Sequence, residues 1–255
     1  MSAVPNTQFP AAAAPAAARQ SAPPRILIAL SLVTFILFVS GLYLALFYAG
    51  TDVDQGNVQR IFYLHVPSFA GAFIAFGAAV VGGIAYLVTR RPVWDSLALA
   101  GVEVGLVCSI INLATGSIWA RPIWNTWWNW DPRLTTAAIM VLTYAAYLML
   151  RNAIENGETR RRFAAVYGIF AFTTVLITLL ITRIRPDTIH PVVIGPSPQN
   201  AEGGFEFTAR IGAVVGFNSF VWTVFIPGVL MAWRMRVQDA ADRVEALRTT
   251  LAERR

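Results

Sequence analysis

The chain contains no lysine, a single cysteine and only two histidines, and charged residues make up 13% of its 255 positions. So little charge, set against 56% hydrophobic residues and a mean hydropathy of +0.56, excludes an ordinary soluble domain. The lone Cys108 falls inside an apolar run; it excludes an intramolecular disulfide and carries no information on the compartment. No Cys-x-x-Cys-His occurs, so the chain does not attach c-type haem to itself. Hydrolytic triads, phosphate loops and nucleotide sites are also without candidates, which leaves any ATP dependence to a partner. A pI near 10.1 raises the question of nucleic acid. The 20 basic residues, all arginine, are however scattered between apolar runs, and no nucleic-acid partner is expected.

What the chain has instead is six long apolar runs, at 26–49, 62–88, 96–118, 134–150, 163–181 and 211–233. A hydrocarbon core of roughly 30 Å takes about 20 helical residues, so these runs predict an all-α, polytopic membrane protein with six transmembrane helices surrounded by lipid. The first run exceeds the 7–15 residues of a signal-peptide core and reads as a retained helix. Residues 1–25, rich in Ala and Pro, read as a disordered tail, and 234–255 as a charged helical tail. The two tails and the loops 89–95 and 151–162 hold 14 arginines, and the alternate loops hold 6. Arginine excess marks the cytoplasmic side, so both termini are expected there. His65, the loop 119–133 and His190 then share the extracytoplasmic face.

Five of the eight tryptophans stand between positions 119 and 130. An interfacial aromatic belt is one reading, and it suits the isolated Trp94 and Trp233. The other is a platform: Pro122 and Pro132 bracket a stretch that could form a short helix, with Trp124, Trp127 and Trp128 on one face and Asp131 next on it. Flanked by Arg121, Asp131 and Arg133, such a surface suits a large planar amphiphile with acidic substituents. A lone histidine is usually structural, but His65 and His190 are the whole supply and lie on one face beside this loop. Two imidazoles with no other soft ligand nearby suit a six-coordinate haem better than a tetrahedral zinc site. Arg60, five residues before His65, is placed to reach a propionate or a lipid headgroup.

Trp119-Ala-Arg-Pro-Ile-Trp124-Asn-Thr-Trp127-Trp128-Asn-Trp130-Asp131-Pro-Arg133-Leu-Thr closely resembles the WWD signature of the haem-handling superfamily. Its Arg133-Leu134-Thr135 ending resembles the cytochrome c maturation protein C branch (CcmC, haem exporter protein C). Arg60-Ile-Phe-Tyr-Leu-His65-Val-Pro67 is similar to that family's first haem-ligand segment, and Thr188-Ile-His190-Pro to its second. The segment from Pro191 to Gly204 is longer and richer in proline than the branch leads one to expect. The resemblance implies a bacterial inner-membrane carrier, not an enzyme, that serves cytochrome c biogenesis. Such a carrier holds haem b between the axial ligands His65 and His190 and hands it to the chaperone CcmE. Its partners would be a CcmD-like small membrane protein and a CcmA–CcmB-like ATP-driven transporter pair. Trp119, Trp124, Trp127, Trp128, Trp130 and Asp131 would form the platform that also meets the chaperone. Three rival readings stand beside it. A haem-ligating synthetase needs more histidines, and a b-type cytochrome subunit places its histidines mid-bilayer. A solute permease would use Glu103, about 10 Å into the third helix.

Overall fold

The computed structural model describes residues 24–192 and 195–253; the expected N-terminal tail lies outside them as far as residue 23. Six helices are long and apolar enough to cross a membrane: α1 (Arg25–Tyr48), α2 (Asn57–Thr89), α3 (Pro92–Trp124), α4 (Pro132–Ala153), α5 (Gly157–Ile184) and α6 (Ala209–Ala252). No strand occurs among the described residues. Each helix outruns or nearly matches its apolar run, because polar residues at the ends still find helical hydrogen bonds beyond the hydrocarbon. From Arg234 to Ala252 the charged tail is one uninterrupted continuation of α6.

The helices α2 and α3 form the centre of the bundle. Their backbones touch: a Cβ on Gly82 would stand 2.7 Å from the Trp94 carbonyl, and one on Gly101 2.5 Å from that of Ala75. Small residues at such crossings are how membrane helices gain close van der Waals packing, since lipid gives no hydrophobic drive between helices. The larger side chains fill the space towards α4 and α5, where Phe76 stacks on Tyr144 at 3.7 Å between ring centroids. Around this core, apolar side chains such as Phe35, Leu142 and Phe170 point outwards, as lipid-facing residues do. Glu103, the residue a permease would need, is paired with Arg234 of α6. At the same end of the bundle Asp95 accepts two hydrogen bonds from Arg151, the shorter at 2.5 Å.

The opposite end is built by three connections: 49–56 between α1 and α2, 125–131 between α3 and α4, and 185–208 between α5 and α6. Hydrogen bonds tie all three together there, Gln55 to Trp119 and Gly203, and Asp131 to Thr188.

Candidate functional site

His65 is locked by α3. Its Nδ1 lies 3.0 Å from the Asn112 carbonyl and 3.2 Å from Thr115 Oγ1, while Asn112 Nδ2 donates to the His65 carbonyl at 2.8 Å. A carbonyl only accepts, so Nδ1 carries the proton and Nε2 keeps a free lone pair. His190 repeats the arrangement in the α5–α6 connection, with Nδ1 donating to the Pro191 carbonyl at 2.6 Å. Burial first, then the positive charge of Arg133, pushes the His190 imidazole down to about 4, against the opposing pull of the Pro191 carbonyl. It is therefore neutral near pH 7, the form that binds metal. The two ring centroids are 6.5 Å apart with the rings tilted by 32°. Two metal–imidazole bonds of about 2.0 Å each, plus the half-widths of the rings, span roughly that distance. The spacing of the two rings is that of imidazoles sharing one metal ion.

Indoles wall the pair. Trp119 meets His65 edge-on at 5.8 Å, and Trp124 meets His190 edge-on at 5.9 Å. Together with Trp128, Arg133, Asn112 and Gly116 they surround an open-mouthed cavity. Gly116 is required by the histidine: a Cβ there would lie 2.7 Å from His65 Cε1. Asp131 anchors the two residues that precede the second histidine. Its Oδ1 caps α4 by accepting from the Arg133 N–H at 2.8 Å, and its carboxylate accepts from the Thr188 hydroxyl and the Ile189 N–H, each at 2.8 Å.

The model of the CcmC family, described as heme exporter protein C, matches residues 9–183. This chain belongs to that family. Heme exporter protein C of Rhodobacter capsulatus is 35% identical over 126 residues, 49% of this chain and 52% of the relative. That of Paracoccus denitrificans is 40% identical over 108 residues, 42% and 45% of the two chains. A Marchantia polymorpha protein, named a putative cytochrome c biosynthesis ccmC-like mitochondrial protein, is 30% identical over 118 residues, 46% and 52%. The chain spans about half the length of these curated relatives. The region matched to heme exporter protein C includes His65 and the tryptophan loop, and ends before His190.

Among the residues singled out in the sequence, His65, His190, Trp119, Trp124, Trp128 and Arg133 line the cavity, and Asp131 anchors one side of it. Four others stand apart. Arg60 donates to Thr51, and Arg121 caps the end of α3 through Asn125. Trp127 and Trp130 point outwards, 58% and 76% exposed.

The short helix expected between Pro122 and Pro132 does not form. Instead α3 runs through Pro122 to Trp124, and Asn125 ends it in the left-handed conformation at φ 53°. Pro122 has no N–H for the carbonyl four residues before it, so its place in the last turn costs α3 one backbone hydrogen bond. Trp124 is thereby set on α3, while Trp127 and Trp128 leave it, and the single indole face is replaced by a cavity wall. Sequence reasoning missed Asn112 as a partner of His65, and it missed Gly116, Thr188, Gln55 and Gly203. An uncharged polar residue in mid-run was the one available signal, and it pointed to Asn112.

Proposed function

We propose that this protein carries haem as cargo, held at the loop-rich end of the bundle with His65 and His190 as axial ligands, and releases it to a CcmE-like chaperone. The observation that carries the reading is the matched pair of imidazoles. Each has its Nδ1–H committed to a carbonyl and its Nε2 free, at a spacing of 6.5 Å between centroids. A hydrogen bond from the other ring nitrogen to a carbonyl fixes the tautomer and orients metal-ligating histidines. The indoles supply apolar edges for a macrocycle, and Arg133 is the cation placed to meet a carboxylate. Iron coordination is the chemistry the cargo supplies; the chain's part is to bind it, orient it and shield it from water.

One ligand sits on a rigid helix and the other on a loop, which suits a site that must load and unload. The outward Trp127 and Trp130 provide the docking surface for the chaperone. The CcmD-like and CcmA–CcmB-like proteins join the complex, and ATP hydrolysis belongs to that transporter pair. The cargo is haem b, and the site faces the extracytoplasmic side of the bacterial inner membrane. A b-type cytochrome reading fits less well, because His190 lies in a connection and not on a helix facing His65.

The test is the visible absorption spectrum of the detergent-purified protein, with hemin added back, beside His65→Ala and His190→Ala. A low-spin spectrum that weakens or turns high-spin in each variant is expected. The same spectrum from wild type and both variants would remove the axial assignment and leave the tryptophan loop as an anchor or docking surface.

A further inference from the structure

A short stretch of the α5–α6 connection lines the cavity, and a side chain from another loop holds it there. Glu202 and Gly203 line the cavity. The Glu202 N–H donates to the Ile189 carbonyl at 2.8 Å, and the Glu202 carbonyl accepts from Trp124 Nε1 at 3.2 Å. The Gly203 carbonyl accepts from Gln55 Nε2 at 2.5 Å, and Gln55 Oε1 in turn accepts from Trp119 Nε1 at 2.9 Å. A primary amide presents a donor and an acceptor from one plane. Gln55 uses both, joining the strap to the indole that packs against His65.

Both ends of this link are set by backbone. Asp52 Oδ1 accepts from the Asp54 and Gln55 N–H groups at 3.0 and 2.8 Å, an Asx turn that aims Gln55. Gly56 follows at φ 61° and ψ −137°, a conformation nearly confined to glycine. Gly203 has φ 78°, and a Cβ on it would overlap Ile123 of α3, so the strap is seated directly on the helix that carries Trp119 and Trp124.

We propose that Gln55 is a positioning residue that keeps the Glu202–Gly203 strap closed over the cavity and so sets how fast a bound ligand leaves. The proposal rests on the reading above, in which the ligand is a planar metal macrocycle between His65 and His190. Glu202 and Gly203 line the cavity together with His190, and the strap's bond to Ile189 steadies the residue next to that histidine. A ligand leaving through the mouth must first lift the strap, which breaks the Gln55–Gly203 bond. The axial ligands are untouched by Gln55, so its loss changes the rate of release and leaves the coordination as it was.

Two variants separate the functions of the amide. Gln55→Glu keeps an acceptor for Trp119 but removes the donor to Gly203, and Gln55→Ala removes both. In full-length protein loaded with hemin, transfer to excess apomyoglobin is expected to be about fivefold to tenfold faster in both variants, a neutral hydrogen bond being worth about fivefold. The low-spin spectrum should be unchanged. Without hemin, a glutamate-specific protease is expected to cut after Glu202 faster in both variants than in wild type. Wild-type rates of release and cutting in both variants would overturn the proposal. So would a Gln55→Glu variant as slow as wild type beside a fast Gln55→Ala, since the Trp119 bond alone would then matter. If wild type takes up no hemin, the carrier reading fails, and the protease comparison still decides whether Gln55 holds the strap.

Discussion

Replacing Gly116 by alanine would put a methyl group 2.7 Å from Cε1 of His65 and 3.2 Å from its Nδ1. The ring would have to swing, and its hydrogen bond to the Asn112 carbonyl would go with it. Alanine is the better helix former by about 1 kcal/mol, so this substitution separates site from scaffold. Gly116→Ala is expected to keep or slightly raise the thermal midpoint in detergent while weakening hemin binding by about tenfold or more, as loss of an outer-shell partner does. A hemin titration that matches wild type would show that the ring has room to spare. The histidines themselves were legible in the sequence because the chain has only two. Their partners were not: Asn112 is 47 residues from His65 along the chain, and nothing local marks a glycine that a distant imidazole lies against. The same holds for Gln55, whose two partners are 64 and 148 residues away.

The connection between α3 and α4 joins helix capping to ligand placement through one carboxylate. Asp131 is the N-cap of α4 and, 57 residues away in sequence, the acceptor for the Thr188 hydroxyl. Serine caps a helix about as well as aspartate, but it is too short to hold Thr188 and Ile189 as well. Asp131→Ser is therefore expected to leave the stability of the bundle nearly unchanged while freeing the His190 loop. Its hemin spectrum should resemble that of His190→Ala. Asp131→Ala should add the loss of the cap, about 1 kcal/mol, seen as a lower thermal midpoint. A low-spin spectrum from Asp131→Ser identical to wild type would mean that the loop holds His190 without this anchor.

The six spans were readable at this scale because a bilayer demands long apolar helices and little else. The shape of the tryptophan stretch was not. Two prolines bounded a plausible short helix, but the decisive events were α3 continuing past Pro122 and Asn125 turning left-handed. Neither follows from spacing alone.

Orientation belongs to the whole molecule. The alternate sets of tails and loops hold 14 and 6 arginines, but the tails supply the imbalance, and the loops alone divide evenly. The fold shows how some of the arginines at the histidine end are used. Arg133 donates to the Thr178 carbonyl and lies 4.7 Å above the Phe69 ring, and Arg121 caps α3. Arginines engaged in this way say less about the side of the membrane than the exposed Arg90 and Arg91 at the other end. Arginines are engaged at the other end too, Arg151 with Asp95 and Arg234 with Glu103, so the extracytoplasmic position expected for the histidine cavity rests on the arginine bias and calls for a direct test.

Cys108 is buried and is the chain's one cysteine, so Cys108→Ser gives a background for single-cysteine labelling. Val53, 85% exposed in the α1–α2 connection, reports the cavity end, and the exposed Ala240 on the extension of α6 reports the other. In cells with a permeable outer envelope, Val53→Cys is expected to react with a membrane-impermeant maleimide, and Ala240→Cys only after lysis. The reverse pattern would invert the orientation and place the proposed handover in the cytoplasm. It would not part the two histidines, because the contacts of His65 with Trp119 and His190 hold them at one end whichever way the bundle faces.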